Sequence, residues 1–333
     1  MTLLHVGTYE ESGGRGLVPV ELAADGALIP GEPFADAANA SFGARGTGLV
    51  YLVDEQDEGA LNVLRREGGR WRRLARVPTG GAAPCYVALS ADGRQLAVTN
   101  YASGSAALYR LDAEGLPQLP PAMFRNEGRG PNEERQEGPH LHCARFSPDG
   151  SALYLVDLGA DQVVCLALSE EGFGEASVVW TAPSGSGPRH MLLHPTEPRA
   201  LVLSELAATL TLLGRGPLGF ETLKKQATAS PGPGGENLGG HLAVNPARTR
   251  AYVSNRGDDT LAVFTLGGGL EPLQHVPSGG RHPRHFALIV AERKLVVAHE
   301  KDGTVASFDI EADGRLRDTG HRVTIPGACF VLA

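Results

Sequence analysis

The sequence predicts an all-β fold, a single seven-bladed β-propeller of four-stranded blades spanning residues 1–333, on three observations. A short run rich in Val, Leu, Ala and Tyr occurs seven times, the copies are regularly spaced, and the two chain ends read as different strands of one repeat. The runs start at Leu3, Val50, Leu96, Leu153, Leu201, Ala251 and Leu295, giving spacings of 47, 46, 57, 48, 50 and 44 residues. That period suits one four-stranded blade per repeat, and seven starts imply seven blades.

Each repeat resolves into the same elements. The run itself is labelled strand b. Upstream of most copies a strand a ends in a turn cluster, at Ser90-Ala-Asp-Gly, Ser147-Pro-Asp-Gly, His194-Pro-Thr-Glu-Pro and Asn245-Pro-Ala-Arg, the Pro, Asp and Gly chemistry of a tight hairpin. A strand c follows at Ala106 to Leu111, Val163 to Leu168, Thr209 to Leu213, Leu261 to Leu266 and Val305 to Ile310, and a more polar strand d completes the blade. The chain opens on a strand b at Leu3 and finishes on Pro326-Gly-Ala-Cys-Phe-Val-Leu, which matches strand a. The C-terminal strand is therefore expected to close the first blade and remove an open sheet edge.

Composition narrows the function classes. Hydrophobic residues make up 42% and charged residues 20%, with 44 Gly and 23 Pro, a turn-rich globular balance. The formal charge of −8 disfavours nucleic acid and anionic lipid as partners. The N-terminus carries no secretory pattern and no apolar run reaches membrane-spanning length, so a cytoplasmic location is expected. Cys85, Cys143, Cys165 and Cys329 are far apart, lack CxxC spacing and lie in apolar runs, reading as reduced core residues.

Antiparallel pairing puts the start of strand a and the end of strand b at one rim. The starts of a read His140-Leu-His142, Pro188-Arg189-His190, Gly240-His241 and Pro283-Arg284-His285. The ends of b read Thr8-Tyr9, Asn100-Tyr101, Ser204-Glu205, Asn255-Arg256 and His299-Glu300-Lys301. Groups this polar are costly to gather without partners or a task, which predicts a pocket for a small ligand. The extra residues of the longest repeat, Arg125 to Gly138, lead into His140 and are expected to form a lid.

These motifs carry a resemblance. Gly130-Pro-Asn-Glu-Glu-Arg-Gln-Glu-Gly-Pro-His140-Leu-His142, Gly187-Pro-Arg-His190, Ser204-Glu-Leu206, Val253-Ser-Asn-Arg256 and Pro283-Arg-His-Phe286 are similar to the seven-bladed 6-phosphogluconolactonase family, from Val6-Gly-Thr-Tyr9 to the C-terminus. The resemblance implies a metal-independent hydrolase without cofactor, acting on a small anionic lactone, 6-phosphogluconolactone first, in the pentose phosphate pathway. A related branch acts on carboxymuconate lactones through a His, an Arg and a Glu, which match His142 (or His140), Arg189 and Glu205 here. Two departures stand out: His241 and Ala243 occupy places where the family commonly has an acidic residue and a His, and His299-Glu300-Lys301 replaces a more usual Asn-Gln pair.

Lactone opening needs a base for water, a stabiliser for the oxyanion and a hold on the rest of the substrate. His142 and Glu205 are the base candidates and Arg189 the oxyanion stabiliser. His140, His190, His241, Arg256, Arg284, His285 and Lys301 are expected to contact substrate, the cations taking its anionic group. Two rival readings are a lactonase for a muconolactone or sugar lactone, and a non-catalytic propeller scaffold, against which the 6% aromatic content speaks. His140 and His142 have the alternate spacing of some metal ligands, but the neighbouring arginines disfavour a cation. Gly214-Arg-Gly-Pro-Leu-Gly219 matches a dinucleotide fingerprint by letter only, since no helix follows it.

Overall fold

The computed structural model describes residues 1–169, 172–228 and 237–333. Seven four-stranded sheets hold these residues, each with its strands in the order a-b-c-d, and the predicted seven blades are all present. Strands a of blades 2 to 7 are Gly43–Arg45, Pro84–Leu89, Leu141–Phe146, Pro188–Leu193, Leu238–Val244 and Pro283–Ile289. Their strands b are Leu49–Asp54, Gln95–Asn100, Ala152–Asp157, Arg199–Ser204, Arg250–Arg256 and Lys294–His299. Among the described residues no helix is long and apolar enough to cross a membrane.

Cα packing divides the chain into two compact units. One comprises Met1–Ala40, Glu205–Leu212 and Lys224–Ala333; the other comprises Ser41–Ser204 and Leu213–Leu223. In the first unit, blade 1 joins Ala328–Leu332 as its strand a to Thr2–Thr8 as its strand b, with His5 opposite Leu332 and Val6 opposite Val331. Leu4, Val6 and Val331 pack with Val296 and Val305 of blade 7, so the chain terminus is a core element. In the second unit a separate core gathers Tyr86, Leu141, Leu155, Trp180 and Met191. Strands b are buried along almost their whole length because a sheet neighbour flanks each edge and packed side chains cover both faces. Strands d are mostly exposed, as Arg70–Pro78 illustrates.

The a-to-b turns repeat one piece of side-chain chemistry. Ser90 Oγ and Ser147 Oγ accept the backbone N–H of Gln95 and Ala152 and donate to Asp92 and Asp149 at 2.6 Å. Asn245 Oδ1 accepts from the Thr249 and Arg250 N–H groups in the same way. Gly93 and Gly150 hold φ of 70° and 73°, a left-handed conformation that glycine adopts without strain.

The opposite end of strand a is irregular, and this irregularity positions the polar groups. Pairing skips one residue between Pro84 and Tyr86, between Leu141 and Cys143, between Pro188 and His190 and between Pro283 and His285. The skipped residues are Cys85, His142, Arg189 and Arg284; blade 6 skips Gly240-His241, and blade 1 skips Cys329. A β-bulge leaves such a residue outside the ladder and re-aims its side chain. Proline at 84, 188 and 283 suits the position, since it has no N–H to give to the broken ladder.

Because residues 328–332 supply a full hydrogen-bonded edge and part of the core, deleting residues 326–333 is expected to abolish soluble folding. Soluble yield and circular dichroism measure this; a truncated protein with unchanged thermal stability contradicts it.

Candidate active site

The ends of strand b separate into two roles that alternate with the strand's period of two. The last strand residue is a structural clamp. Thr8 Oγ1 donates to the Gly16 carbonyl, Asp54 accepts from Arg76, Asp157 accepts the N–H groups of His140 and Ala160, and Asn100 and Asn255 donate to the Thr79 and Thr228 carbonyls. In blade 7 the clamp is His299, with Nδ1 2.8 Å from the Thr304 carbonyl and Nε2 3.0 Å from Ser278 Oγ. The next residue along carries the distinctive chemistry: Tyr9, Tyr101, Glu205 and Glu300, with Arg256 in the corresponding place in blade 6.

In the second unit the bulged residues form a chain. Cys85 Sγ lies 3.8 Å from His142 Nδ1, and His142 Nε2 lies 2.5 Å from Arg189 Nη1. Both His142 and Arg189 are 4% exposed. A guanidinium has only donors, so Nε2 accepts and the network assigns the imidazole proton to Nδ1, facing the Cys85 sulfur. His190 stands edge-on to Phe42, Tyr86 and His142, with ring centroids 6.1, 5.5 and 5.5 Å away.

The predicted lid is a packed loop of this unit. Gln136 is fully buried and donates to the Leu158 carbonyl at 2.9 Å, while Asn132 Oδ1 accepts the N–H groups of Glu134 and Arg135. His140 stacks on Tyr101 at 4.4 Å, and its two ring nitrogens meet the Tyr101 carbonyl and Glu137 at 3.0 and 3.1 Å. Arg135 donates to the Tyr101 hydroxyl at 3.2 Å, so His140 and Tyr101 together anchor the loop.

In the first unit the cations are matched to carboxylates. Arg256 Nη2 is 2.8 Å from Glu205 Oε2, with the two side chains 5% and 1% exposed, and Arg256 also donates to the Gly239 carbonyl. The Glu205 carbonyl accepts the Gly239 N–H, fixing this segment against the start of strand a of blade 6. Glu300 Oε2 meets His282 Nδ1 at 2.9 Å and Arg284 Nη1 at 3.4 Å, and the Arg284 guanidinium lies over the Tyr9 ring. Burial acts to raise the Glu300 pKa, but Arg284, the His282 hydrogen bond and Arg256 override it and hold the carboxyl well below the usual carboxylate range. His241 and His285 pack ring against ring at 3.8 Å, and His285 Nδ1 accepts the Val331 N–H. Lys301 is exposed and lines a cavity of ≈ 600 Å³ with His282, Glu300, Asp302 and Thr324.

The ten residues singled out from sequence thus fall into three groups. His142, Arg189 and His190 form one buried cluster; Glu205, Arg256, His241, Arg284, His285 and Lys301 lie in the other unit; His140 holds the loop. Sequence reasoning took Cys85 for a plain core residue and passed over Glu137, His282 and the pairing of Glu300. The prolines before the bulges are the signal that points to Cys85. Among the described residues no three His, Cys, Asp or Glu side chains are grouped to hold a metal ion.

Seven four-stranded blades with His and Arg at the irregular starts of strand a and Glu just past the ends of strand b define a class. The family described as lactonase, 7-bladed beta-propeller, matches residues 3–333, and the chain belongs to it. It is 30% identical over 338 residues to the 6-phosphogluconolactonase of Bacillus subtilis, covering 98% of this chain and 95% of that one. The structure is similar to the periplasmic gluconolactonase of Pseudomonas aeruginosa, with a TM-score of 0.90 at 26% identity over 100% and 99% of the two chains. A protein from Lactobacillus plantarum matches with a TM-score of 0.91 at 27% identity over 99% and 98%.

Arg256→Met leaves Glu205 buried without its guanidinium, and is expected to cost about 3–5 kcal/mol in urea unfolding; a loss below about 1 kcal/mol would show the pair to be structurally idle. Burial depresses the His299 pKa below its ordinary 6.5. As pH falls through that value the unfolded imidazole takes up a proton and the folded one does not, so stability conferred by the neutral ring declines. His299→Gln should therefore flatten the fall in Tm between pH 8 and 5.5; a slope equal to that of the native chain contradicts this.

Proposed function

We propose that the chain hydrolyses 6-phosphogluconolactone to 6-phosphogluconate, the lactone-opening step of the pentose phosphate pathway, in the cytoplasm and without metal or cofactor. The buried Glu205–Arg256 pair carries this reading, because an ionised carboxylate held inside the protein is an acceptor suited to take a proton from water. Water attacks the ester carbonyl carbon, Glu205 receives its proton, and the carbonyl oxygen becomes an oxyanion. That oxyanion needs a charged, donor-rich group, the role that the sequence motif assigns to Arg189. The ring C–O bond then breaks, and the proton on Glu205 passes to the departing alkoxide. His142 was an equal candidate for the base, but its Nε2 accepts from Arg189, so its role is to aim the guanidinium. In the unit that holds Glu205, His241 shapes the wall, His285, Arg256 and Arg284 hold the anionic substrate, and Lys301 meets it at the exposed rim; in the other unit His190 packs against Phe42, Tyr86 and His142. His140 acts through the loop it anchors rather than on the substrate.

A second reading, a sugar lactonase without need of a phosphate, is favoured by one observation: Arg256 and Arg284 are already matched to Glu205 and Glu300. Relative kcat/KM values for phosphorylated, carboxylated and neutral lactones separate the two.

Glu205→Gln is expected to lower kcat at least a hundredfold with little change in KM, and His142→Ala at least tenfold, as a loosened Arg189 would. Full turnover by a correctly folded Glu205→Gln protein would overturn the assignment.

A further inference from the structure

We propose that Glu300 is a specificity-determining residue, a built-in counter-anion that limits how tightly the cavity beside it holds negative charge and thereby releases the ring-opened product. This rests on the lactonase reading. Hydrolysis converts a neutral ester into a carboxylate, so the product carries one more negative charge than the substrate, whatever lactone is opened. A site furnished with uncompensated arginines would bind product more tightly than substrate and become trapped.

The geometry supplies the compensation. Glu300 bridges His282 and Arg284 at 2.9 and 3.4 Å and also faces Arg256 electrostatically, while Arg256 pairs with Glu205 on its other side. The result is an alternating row of two carboxylates and two guanidiniums. Glu300 is not sealed in the core: its side chain is 24% exposed, against 14% for Arg284 and 15% for His282, and it forms part of the wall of the ≈ 600 Å³ cavity. The remaining charged groups on that wall are Lys301 and Asp302, which have opposite signs. A hydroxyl-bearing tail fits such a wall, since the Glu300 and Asp302 carboxylates accept from hydroxyls and the Lys301 ammonium donates to them. A phosphate or carboxylate entering the cavity instead meets the Glu300 carboxylate, which stands between it and Arg284 behind the wall. Glu300 follows the clamp residue His299, whose hydrogen bonds to Ser278 and Thr304 fix the point from which its side chain projects.

The test is product inhibition of the intact chain by gluconate and by 6-phosphogluconate. Glu300→Gln keeps the shape and removes the charge. It should lower the inhibition constant of both products at least tenfold, about 1.4 kcal/mol, and lower kcat as release slows, whereas Glu300→Asp should bind product within about threefold of the native chain. Unchanged or weaker product binding in a folded Glu300→Gln protein overturns the proposal. Should that variant fail to fold, Lys301→Glu adds a negative charge at an exposed position. It is expected to weaken 6-phosphogluconate at least threefold more than gluconate, and equal effects on the two would likewise refute the idea. A native chain that opens neither lactone instead defeats the lactonase reading itself; a native chain that turns over while Glu300→Gln leaves product binding unmoved defeats only this inference.

Discussion

The interruption of the hydrogen-bond ladder at the start of strand a is the constraint on which the chemistry of the molecule depends. An unbroken strand would send alternate side chains to opposite faces and bury them between neighbouring blades. Skipping one residue frees a side chain from that alternation, and the freed positions are Cys85, His142, Arg189 and Arg284, with Gly240-His241 in blade 6. A rigid β scaffold thereby gains single adjustable positions. The contact between His142 and Arg189 joins two such positions from successive blades.

Polar groups this deep cost free energy unless paired, and the pairing follows one rule in both units. Each buried cation has an acceptor within reach: Arg189 has an imidazole, Arg256 a carboxylate and a carbonyl, Arg284 a shared carboxylate. The clamps at the strand ends then satisfy the backbone groups that the broken ladder leaves over, as Asp157 does for the His140 N–H. Charge balance is therefore settled inside the protein before any ligand arrives.

Much of the fold was legible in the sequence because strand b is buried on both faces and reads as a continuous apolar run, seven times over. Strand d was the weakest signal, since an exposed outer edge such as Arg70–Pro78 needs little apolar pattern. The closing strand was legible because Pro326 to Leu332 has the composition of a strand a without a following b. The site was only half legible. Residue types and their places at the starts of a and the ends of b were readable from the alternation of the two strands, but partners were not. Nothing in the letters says that Glu300 faces His282 and Arg284, or that His142 offers Nε2 to an arginine, because these contacts join separate strands and depend on register shifts of one residue.

The first blade draws its strand a from residues 328–332 and its strand b from residues 2–8. Its sheet is therefore held by contacts of the greatest sequence separation in the chain, and such contacts form late because a long loop must close first. During synthesis the strand at residues 2–8 emerges early and then waits with an open edge until residues 328–332 leave the ribosome. The other blades assemble from neighbouring sequence and have no such delay, so the joining of the two ends is the step at which the nascent protein is most exposed to mispairing.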